Sequence, residues 1–335
     1  MSLPININVD ITDKVSIPGA LHLACSVYLP APTDLPDRPT VIFAVPGGGY
    51  TRHYYDLQLP GHEHYSEAQY HRQKGTVFIS CDHLGVGESS LPDPTLITFE
   101  VLAAAYAATV TELVGRIKNG TISPQFPAVE NPTVIGIGQS MGGCVTLLTQ
   151  GQHAVFDAIV PMGYSAIHTV MPQRTVEDQQ RAIEARFAPR DTRLETLSVE
   201  ESSRSIADYV YPFHWEDVPR DILDADMAGG YPIRTNPPPW GSATIPPCAT
   251  LMMGPGVVSV EARAVLVPVM VVSGERDTVP DPHAEPRAFP ASKDVSVFVV
   301  PRMAHMHNFA STRQILWQRT HDWSRMIANA RYQQG

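Results

Sequence analysis

Gly138-Gln139-Ser140-Met141-Gly142 sets a serine between two glycines, each two residues away. It follows the apolar run TVIGIGQ, from Thr133 to Gln139, and opens the small-residue stretch SMGGCVTLLTQ. A strand that turns directly into a helix needs small side chains on both sides of the turn, because the turn crowds its own backbone. Such a turn lifts the serine hydroxyl above the sheet edge and aims a helix N-terminus at developing negative charge. A serine hydroxyl is a weak nucleophile unless a base takes its proton and a third group orients that base. Both groups are available downstream. VVSGERD sets Asp277 on the turn after one apolar strand, and VSVFVVPRMAH sets His305 just past the next, an interval that fits one helix and one strand.

Neighbouring residues compete for these roles. His307 lies two positions from His305 and is an alternative base, but the strand-Pro-x-x-x-His register starting at Pro301 favours His305. Glu275 is an alternative acid, whereas Asp277 fits the turn Gly-x-x-Asp and is the shorter, stiffer carboxylate. VPMGYSAIH, after the preceding strand, offers no acid at all. His62 and His64 in GHEHYSEAQYH have the alternate spacing of a metal pair on a strand, but this stretch reads as loop and helix, so both are expected to be surface histidines. No metal site is expected.

The elements that must hold these groups are legible as buried runs. PTVIFAV, GTVFISCD, TVIGIGQ, FDAIVPMG, VPVMVVSGE and VSVFVVP are continuous and apolar, the pattern of strands covered on both faces. INVDIT and LHLACSVYLP, separated by Pro18-Gly19, read as an antiparallel pair ahead of them. Helical stretches lie between the runs, of which Phe99 to Lys118 is the clearest, and Thr312 to Arg331 is another. Strands alternating with helices imply an α/β fold, a mostly parallel central sheet flanked by helices. The stretch 166–263 breaks the alternation with acidic helical pieces, TVEDQQRAIEARF and SVEESSRSIADYV, and then the proline-rich NPPPWGSATIPPCATLMMGPG. It is too long for an ordinary connection. It reads as an inserted, mainly helical lid, which leaves 1–165 and 264–335 as the two parts of the core.

VPGGGY, CDHLGVGES, GIGQSMGG, SGERD and PRMAH, in that order, resemble the motifs of the α/β-hydrolase superfamily, and together they span about Pro39 to His305, nearly the whole chain apart from the lid. The order Ser140, Asp277, His305 is the one this resemblance implies for a catalytic triad. The resemblance also implies a structural role for Asp82 and the glycines of its loop. An oxyanion hole needs two backbone N–H groups aimed where a carbonyl oxygen becomes negative. One is expected from Met141, directly after the serine. By similarity to glycine-rich HGGG-type loops, the other is expected from Gly48, with Gly49 the alternative, although Pro46 stands where histidine is common in the family. Relatives that open haloalkanes or epoxides use aspartate as nucleophile, so Ser140 argues against both reactions.

Composition bounds the rest. The chain has 335 residues, 43% hydrophobic and only 17% charged, with a formal net charge of −10. Such a chain buries a large core. No basic run or stripe is present, which argues against nucleic acid as a partner. No apolar run approaches the roughly 18 residues of a membrane span. The opening MSLPININVDITDK lacks the basic and apolar regions of a secretory leader, and Cys25, Cys81, Cys144 and Cys248 show no disulfide or zinc spacing. A cytoplasmic protein is expected, with no cofactor, since no phosphate loop or dinucleotide fingerprint occurs.

These readings converge on a serine hydrolase that cleaves a carboxylic ester or lactone through an acyl-enzyme. The aromatic and sulfur-bearing residues of the lid point to a fairly bulky apolar small-molecule substrate. Tyr50, Gln139, Trp215, Trp240 and Met253 are the expected substrate contacts. An acyltransferase on the same scaffold and a hydrolase-fold ligand receptor are the alternatives, and a homo-oligomer is compatible with a large lid.

Overall fold

A computed structural model describes residues 3–187 and 208–333. Its frame is one eight-stranded sheet in the order β1-β2-β4-β3-β5-β6-β7-β8. The first two strands, β1 (Ile5–Asp10) and β2 (His22–Tyr28), pair antiparallel, and β2 pairs antiparallel with β4 (Val77–Cys81). From β4 onward, β3 (Thr40–Val45), β5 (Thr133–Gln139), β6 (Ala158–Met162), β7 (Val269–Arg276) and β8 (Val295–Ala304) run parallel. The central strands β3, β4, β5 and β6 are buried at every residue, whereas the edge strand β1 alternates exposed and covered positions. That difference follows from helices packing on both faces of the middle of the sheet.

Successive side chains of a strand point to opposite faces, so each central strand feeds two cores. Val41, Phe43 and Val45 of β3 enter one, and Ile42 and Ala44 enter the other. The first core is closed by α2 (Phe99–Lys118) and α3 (Met141–His153). Helix α2 starts where the Thr98 hydroxyl accepts a hydrogen bond from the Val101 amide, satisfying one of the unpaired N–H groups of its first turn. The second core is closed by α1 (Glu67–Gln73) and by the C-terminal helix, Arg313–Gln333. That last helix buries Leu316, Trp317, Thr320, Trp323, Ser324 and Ile327, the three-and-four spacing of one helical face. Each large apolar side chain so buried contributes about 1.5–3 kcal/mol.

The connection between β6 and β7 contains α4 (Val176–Phe187), α5 (Val210–Phe213), α6 (Arg220–Met227), a 3-10 helix at Pro247–Met253 and α7 (Ser259–Ala264). The acidic piece TVEDQQRAIEARF is the α4 helix; most of SVEESSRSIADYV lies outside the described residues. The rest of the described connection is irregular chain, tied to the core by a buried polar hub. Asp226 of α6 accepts hydrogen bonds from the Tyr50 hydroxyl (2.7 Å) and Trp240 Nε1 (2.9 Å), pairs with His214 Nε2 (3.0 Å), and meets Arg234 Nη2 at 3.2 Å. Arg234 Nη1 in turn donates to the carbonyl of Gly49, and the Ser242 amide donates to the same oxygen at 2.9 Å. Burial alone would raise the Asp226 carboxyl, but the bond and charge of His214, with Arg234 and Tyr50, hold it below its ordinary value. Removing only the cation would strand a buried anion. Arg234→Met is therefore expected to lose about 3–5 kcal/mol of stability. Urea unfolding tests this, and a midpoint equal to that of the unaltered protein would contradict it.

Among the described residues no helix is long and apolar enough to cross a membrane.

Candidate active site

Loops that leave the C-terminal ends of the parallel strands β3, β5, β6, β7 and β8 meet at one edge of the sheet, where open α/β sheets place their ligands. Ser140 follows β5 with φ 54° and ψ −118°, a conformation that L-residues rarely adopt, and α3 begins at the next residue. The glycines on either side are obligatory. A Cβ on Gly138 would sit 2.1 Å from the Gly142 carbonyl oxygen, and one on Gly142 would sit 2.0 Å from that of Val45.

His305 Nε2 lies 2.8 Å from Ser140 Oγ, and His305 Nδ1 lies 2.6 Å from Asp277 Oδ1. Asp277 also accepts from two backbone amides, Thr278 N on Oδ1 (2.7 Å) and Gly274 N on Oδ2 (2.8 Å), and it faces His307 Nε2 at 2.7 Å. Burial would raise this carboxyl, but His305 and His307 hold it well below the usual carboxylate range. Asp277 is therefore an anion that only accepts. It follows that His305 carries its proton on Nδ1 and presents a bare Nε2 to the serine hydroxyl.

Gly163, at φ +57°, lets the chain leave β6 directly beneath this pair; a Cβ there would be 3.0 Å from both His305 Nδ1 and Asp277 Oδ1. The histidine is pinned from three further sides. Gln139 Nε2 donates to the His305 carbonyl (2.8 Å), the His305 amide donates to the Pro212 carbonyl (3.1 Å), and the Phe213 ring meets the imidazole edge-on at 4.9 Å.

A cavity of about 140 Å³ opens above Ser140, with Gly48, Met141 and His305 also lining it. Five of its lining residues are methionines: Met141, Met171, Met252, Met253 and Met306. Tyr164, Tyr209, Phe213 and Tyr231 supply aromatic walls. No carboxylate, lysine or arginine lines it among the described residues. Several polar atoms of its walls are already spent internally: the Tyr164 hydroxyl donates to the Met252 carbonyl and the Thr278 hydroxyl to the Gly163 carbonyl, each at 2.8 Å.

Of the residues expected at the substrate, Ser140, His305, Met141, Gly48 and Met253 border the cavity. Gly49 is not among the residues that line it, and its carbonyl is engaged by Arg234 and Ser242. Tyr50 and Trp240 turn into the Asp226 hub, and Gln139 turns under the His305 loop. Trp215 lies beneath the Arg276 guanidinium at 4.6 Å, outside the cavity. Glu275 is exposed, and its carboxylate accepts from the Arg302 amide at 2.8 Å. His62 pairs with Asp221 at 2.7 Å, and His64 is exposed. Asp82 is buried and holds Arg52 at 2.6 Å, while His83 beside it contacts the Pro46 carbonyl at 2.7 Å, at the start of the glycine loop.

The model of the alpha/beta hydrolase family matches residues 41–315, which includes every strand from β3 onward and all of these site groups. The chain belongs to the α/β-hydrolase family. Solved structures agree on the fold. A thermophilic esterase from Thermogutta terrifontis superposes with a TM-score of 0.60 at 18% identity, covering 96% of this chain and 99% of that one. A proline iminopeptidase from Mycobacterium smegmatis gives 0.60 at 17% identity, covering 97% and 99%. A haloalkane dehalogenase variant from Bradyrhizobium elkanii gives 0.59 at 13% identity, covering 99% and 100%. At these identities the likeness concerns the fold alone. No curated protein sequence matches this one.

Where the chain enters the β6–β7 connection, a buried carboxylate stitches the turn. Glu285 accepts from the Ser165 hydroxyl and, at 2.9 Å, from the Ala166 amide, and burial pushes its carboxyl up to about 7. The folded chain then binds this proton more tightly than the unfolded one. The stability it contributes is complete below the ordinary glutamate range and is lost as pH rises through about 7. Glu285→Gln is expected to flatten that decline, read as urea midpoints between about pH 5 and pH 8. A variant as pH-sensitive as its parent would contradict the assignment.

Proposed function

We propose that this α/β hydrolase is a serine carboxylic-ester or lactone hydrolase that works through an acyl-enzyme. The observation that carries the reading is the unbroken chain of hydrogen bonds from Ser140 Oγ through His305 to the buried Asp277. As Oγ attacks the acyl carbon, its proton passes to His305 Nε2, and the carbonyl oxygen becomes an oxyanion beside the amides of Met141 and Gly48. Collapse expels the alcohol, which takes the proton from His305. Water then gives a proton to the same nitrogen and attacks the acyl-enzyme, and the serine recovers its proton as the acid leaves. Aspartate-based dehalogenation has no nucleophile here. An aminopeptidase would need a carboxylate to hold the substrate ammonium, and none lines the cavity among the described residues.

The cavity also narrows the substrate. The described residues of the β6–β7 connection wall the space above the serine, and this space holds one ring-sized group, since an apolar cavity of roughly 150 Å³ accommodates benzene. A bulkier substrate must place the remainder outside. The group held there is uncharged, because among the described residues no lysine or arginine lines the walls to pair with an anion and no carboxylate to pair with a cation.

Two measurements test the reading. A neutral fluorophosphonate is expected to give one covalent adduct by intact mass, mapping to Ser140; reaction only at another residue would overturn it. Among chromogenic esters of one alcohol, the butyrate is expected to outpace the hemisuccinate by about a hundredfold, the effect of burying an unpaired charge. Equal rates would refute the uncharged pocket.

A further inference from the structure

Asp277 faces two histidines, and the proposed reaction uses only one. We propose that His307 is a positioning residue, whose Nε2–H grips Oδ2 of Asp277, fixes the plane of the carboxylate and draws off part of its basicity, so that Oδ1 alone serves His305. The proposal deepens the Ser140–His305–Asp277 reading and rests on it.

Four donors surround this carboxylate, two on each oxygen. Gly274, near the end of β7, and Thr278 flank Asp277 in the same stretch of chain and move with it. His305 and His307 come instead from the loop after β8, so they alone tie the acid to a different element among its described hydrogen-bond partners. His305 must swing its proton between serine and leaving group, and a carboxylate held only by that ring would be free to follow it. His307 removes that freedom. Its ring is buried, and its Nδ1 has no hydrogen-bond partner among the described residues. With Asp277 able only to accept, the proton of His307 must sit on Nε2. With nothing at Nδ1 to pass a proton onward, the residue is a fixed donor and not a second shuttle.

The surroundings keep the loop in place. The next amide, that of Asn308, donates to the Tyr54 hydroxyl at 3.1 Å, and Asn308 Nδ2 donates to Glu67 at 2.9 Å. Trp317 Nε1 completes the set by donating to Asn308 Oδ1 at 2.8 Å. The titratable groups around His307 are therefore Asp277 from the turn after β7, His305 from its own loop, Tyr54 from the turn after β3, and Glu67 of α1 reached through Asn308.

A donor on a carboxylate lowers its basicity, and a less basic carboxylate holds the neighbouring imidazolium less tightly. Losing the His307 donor should therefore strengthen the hold of Asp277 on protonated His305. The acid limb of kcat/KM would then move to higher pH.

The test compares His307→Phe, which keeps a ring but no donor, with His307→Gln, whose amide nitrogen reaches the position of Nε2. His307→Phe is expected to lower kcat and the rate of fluorophosphonate labelling by roughly 10–100-fold, as for loss of one hydrogen bond to a charged group, with KM little changed and the acid limb displaced upward. His307→Gln is expected to stay within about threefold of the unaltered protein, with its acid limb in place. Equal losses in the two variants, or none in His307→Phe, would overturn the proposal. Nitrogen NMR of the imidazoles in the unaltered protein decides independently of any folding defect: a protonated Nε2 on His307 is required, and a bare Nε2 refutes it. If fluorophosphonate fails to label Ser140 in the unaltered protein, the hydrolase reading itself fails. Labelling at Ser140 together with an unaffected His307→Phe removes the positioning role alone.

Discussion

Replacing Ser140 by alanine is expected to lower ester turnover by about 10³–10⁶-fold, the range seen when an activated serine is removed and only transition-state donors and binding remain. The fold should survive the change. The Ser140 side chain contributes its hydroxyl bond to His305, while the strain at this position lies in the backbone, at φ 54° and ψ −118°. Alanine inherits that strain, whereas glycine is free of it. Releasing about 1–3 kcal/mol of backbone strain outweighs the roughly 0.4–1 kcal/mol that glycine adds to the entropy of the unfolded chain. Ser140→Gly should therefore be as inactive as Ser140→Ala but melt at the same temperature or higher. Ester turnover and thermal unfolding of the two variants provide the check. Retention of more than about one part in a hundred of the activity by Ser140→Ala would place the nucleophile elsewhere.

What was readable in the sequence were the features encoded locally. The runs that became β3 through β8 are continuous and apolar because both faces of the sheet are covered, and the turn around Ser140 is announced by glycines whose absence of Cβ the packing requires. Asp277 and His305 stand out because each follows a strand end by a fixed, short interval. Direction was not encoded in this way. Tyr50, Gln139 and Trp240 sit next to or above the site in sequence order, yet all three turn inward, since the partners that claim them come from distant segments. Asp226, which organises two of them, lies in α6, a stretch that no motif or pattern singled out. Met171 and Tyr231 carried no local signal, and they reach the cavity only because the β6–β7 connection folds back over the sheet edge; Met306 reaches it from the loop after β8, next to His305.

Asp277→Asn is the more discriminating substitution, because the site offers an amide no comfortable orientation. Both carboxylate oxygens accept a backbone N–H, from Thr278 on one side and Gly274 on the other. Whichever way the side-chain amide turns, its NH₂ meets one of those donors. If it faces His305, the imidazole must present a bare Nδ1, its proton moves to Nε2, and the nitrogen that should receive the serine proton is already occupied. That tautomer costs about 10⁴-fold in kcat in a comparable triad. If the NH₂ faces His307 instead, His305 keeps its useful tautomer but loses the anion that stabilises it as an imidazolium. A smaller loss is then expected, together with an acid limb displaced to lower pH, because the charge favouring protonated His305 is gone. Both outcomes contrast with Glu275→Gln, expected to be near neutral because that side chain is exposed and accepts only the Arg302 amide among its described hydrogen bonds. Asp277 itself contributes little to the acid limb of the unaltered protein. A carboxyl held well below its ordinary value stabilises the fold above the range where it titrates in the unfolded chain, and releases that stability only as pH falls through the depressed value. Any acid limb in the pH profile is therefore not expected to come from Asp277, and pH profiles of Asp277→Asn and Glu275→Gln measured side by side test the assignment. Near-normal turnover in Asp277→Asn, or a larger loss in Glu275→Gln, would exchange the two carboxylates' roles.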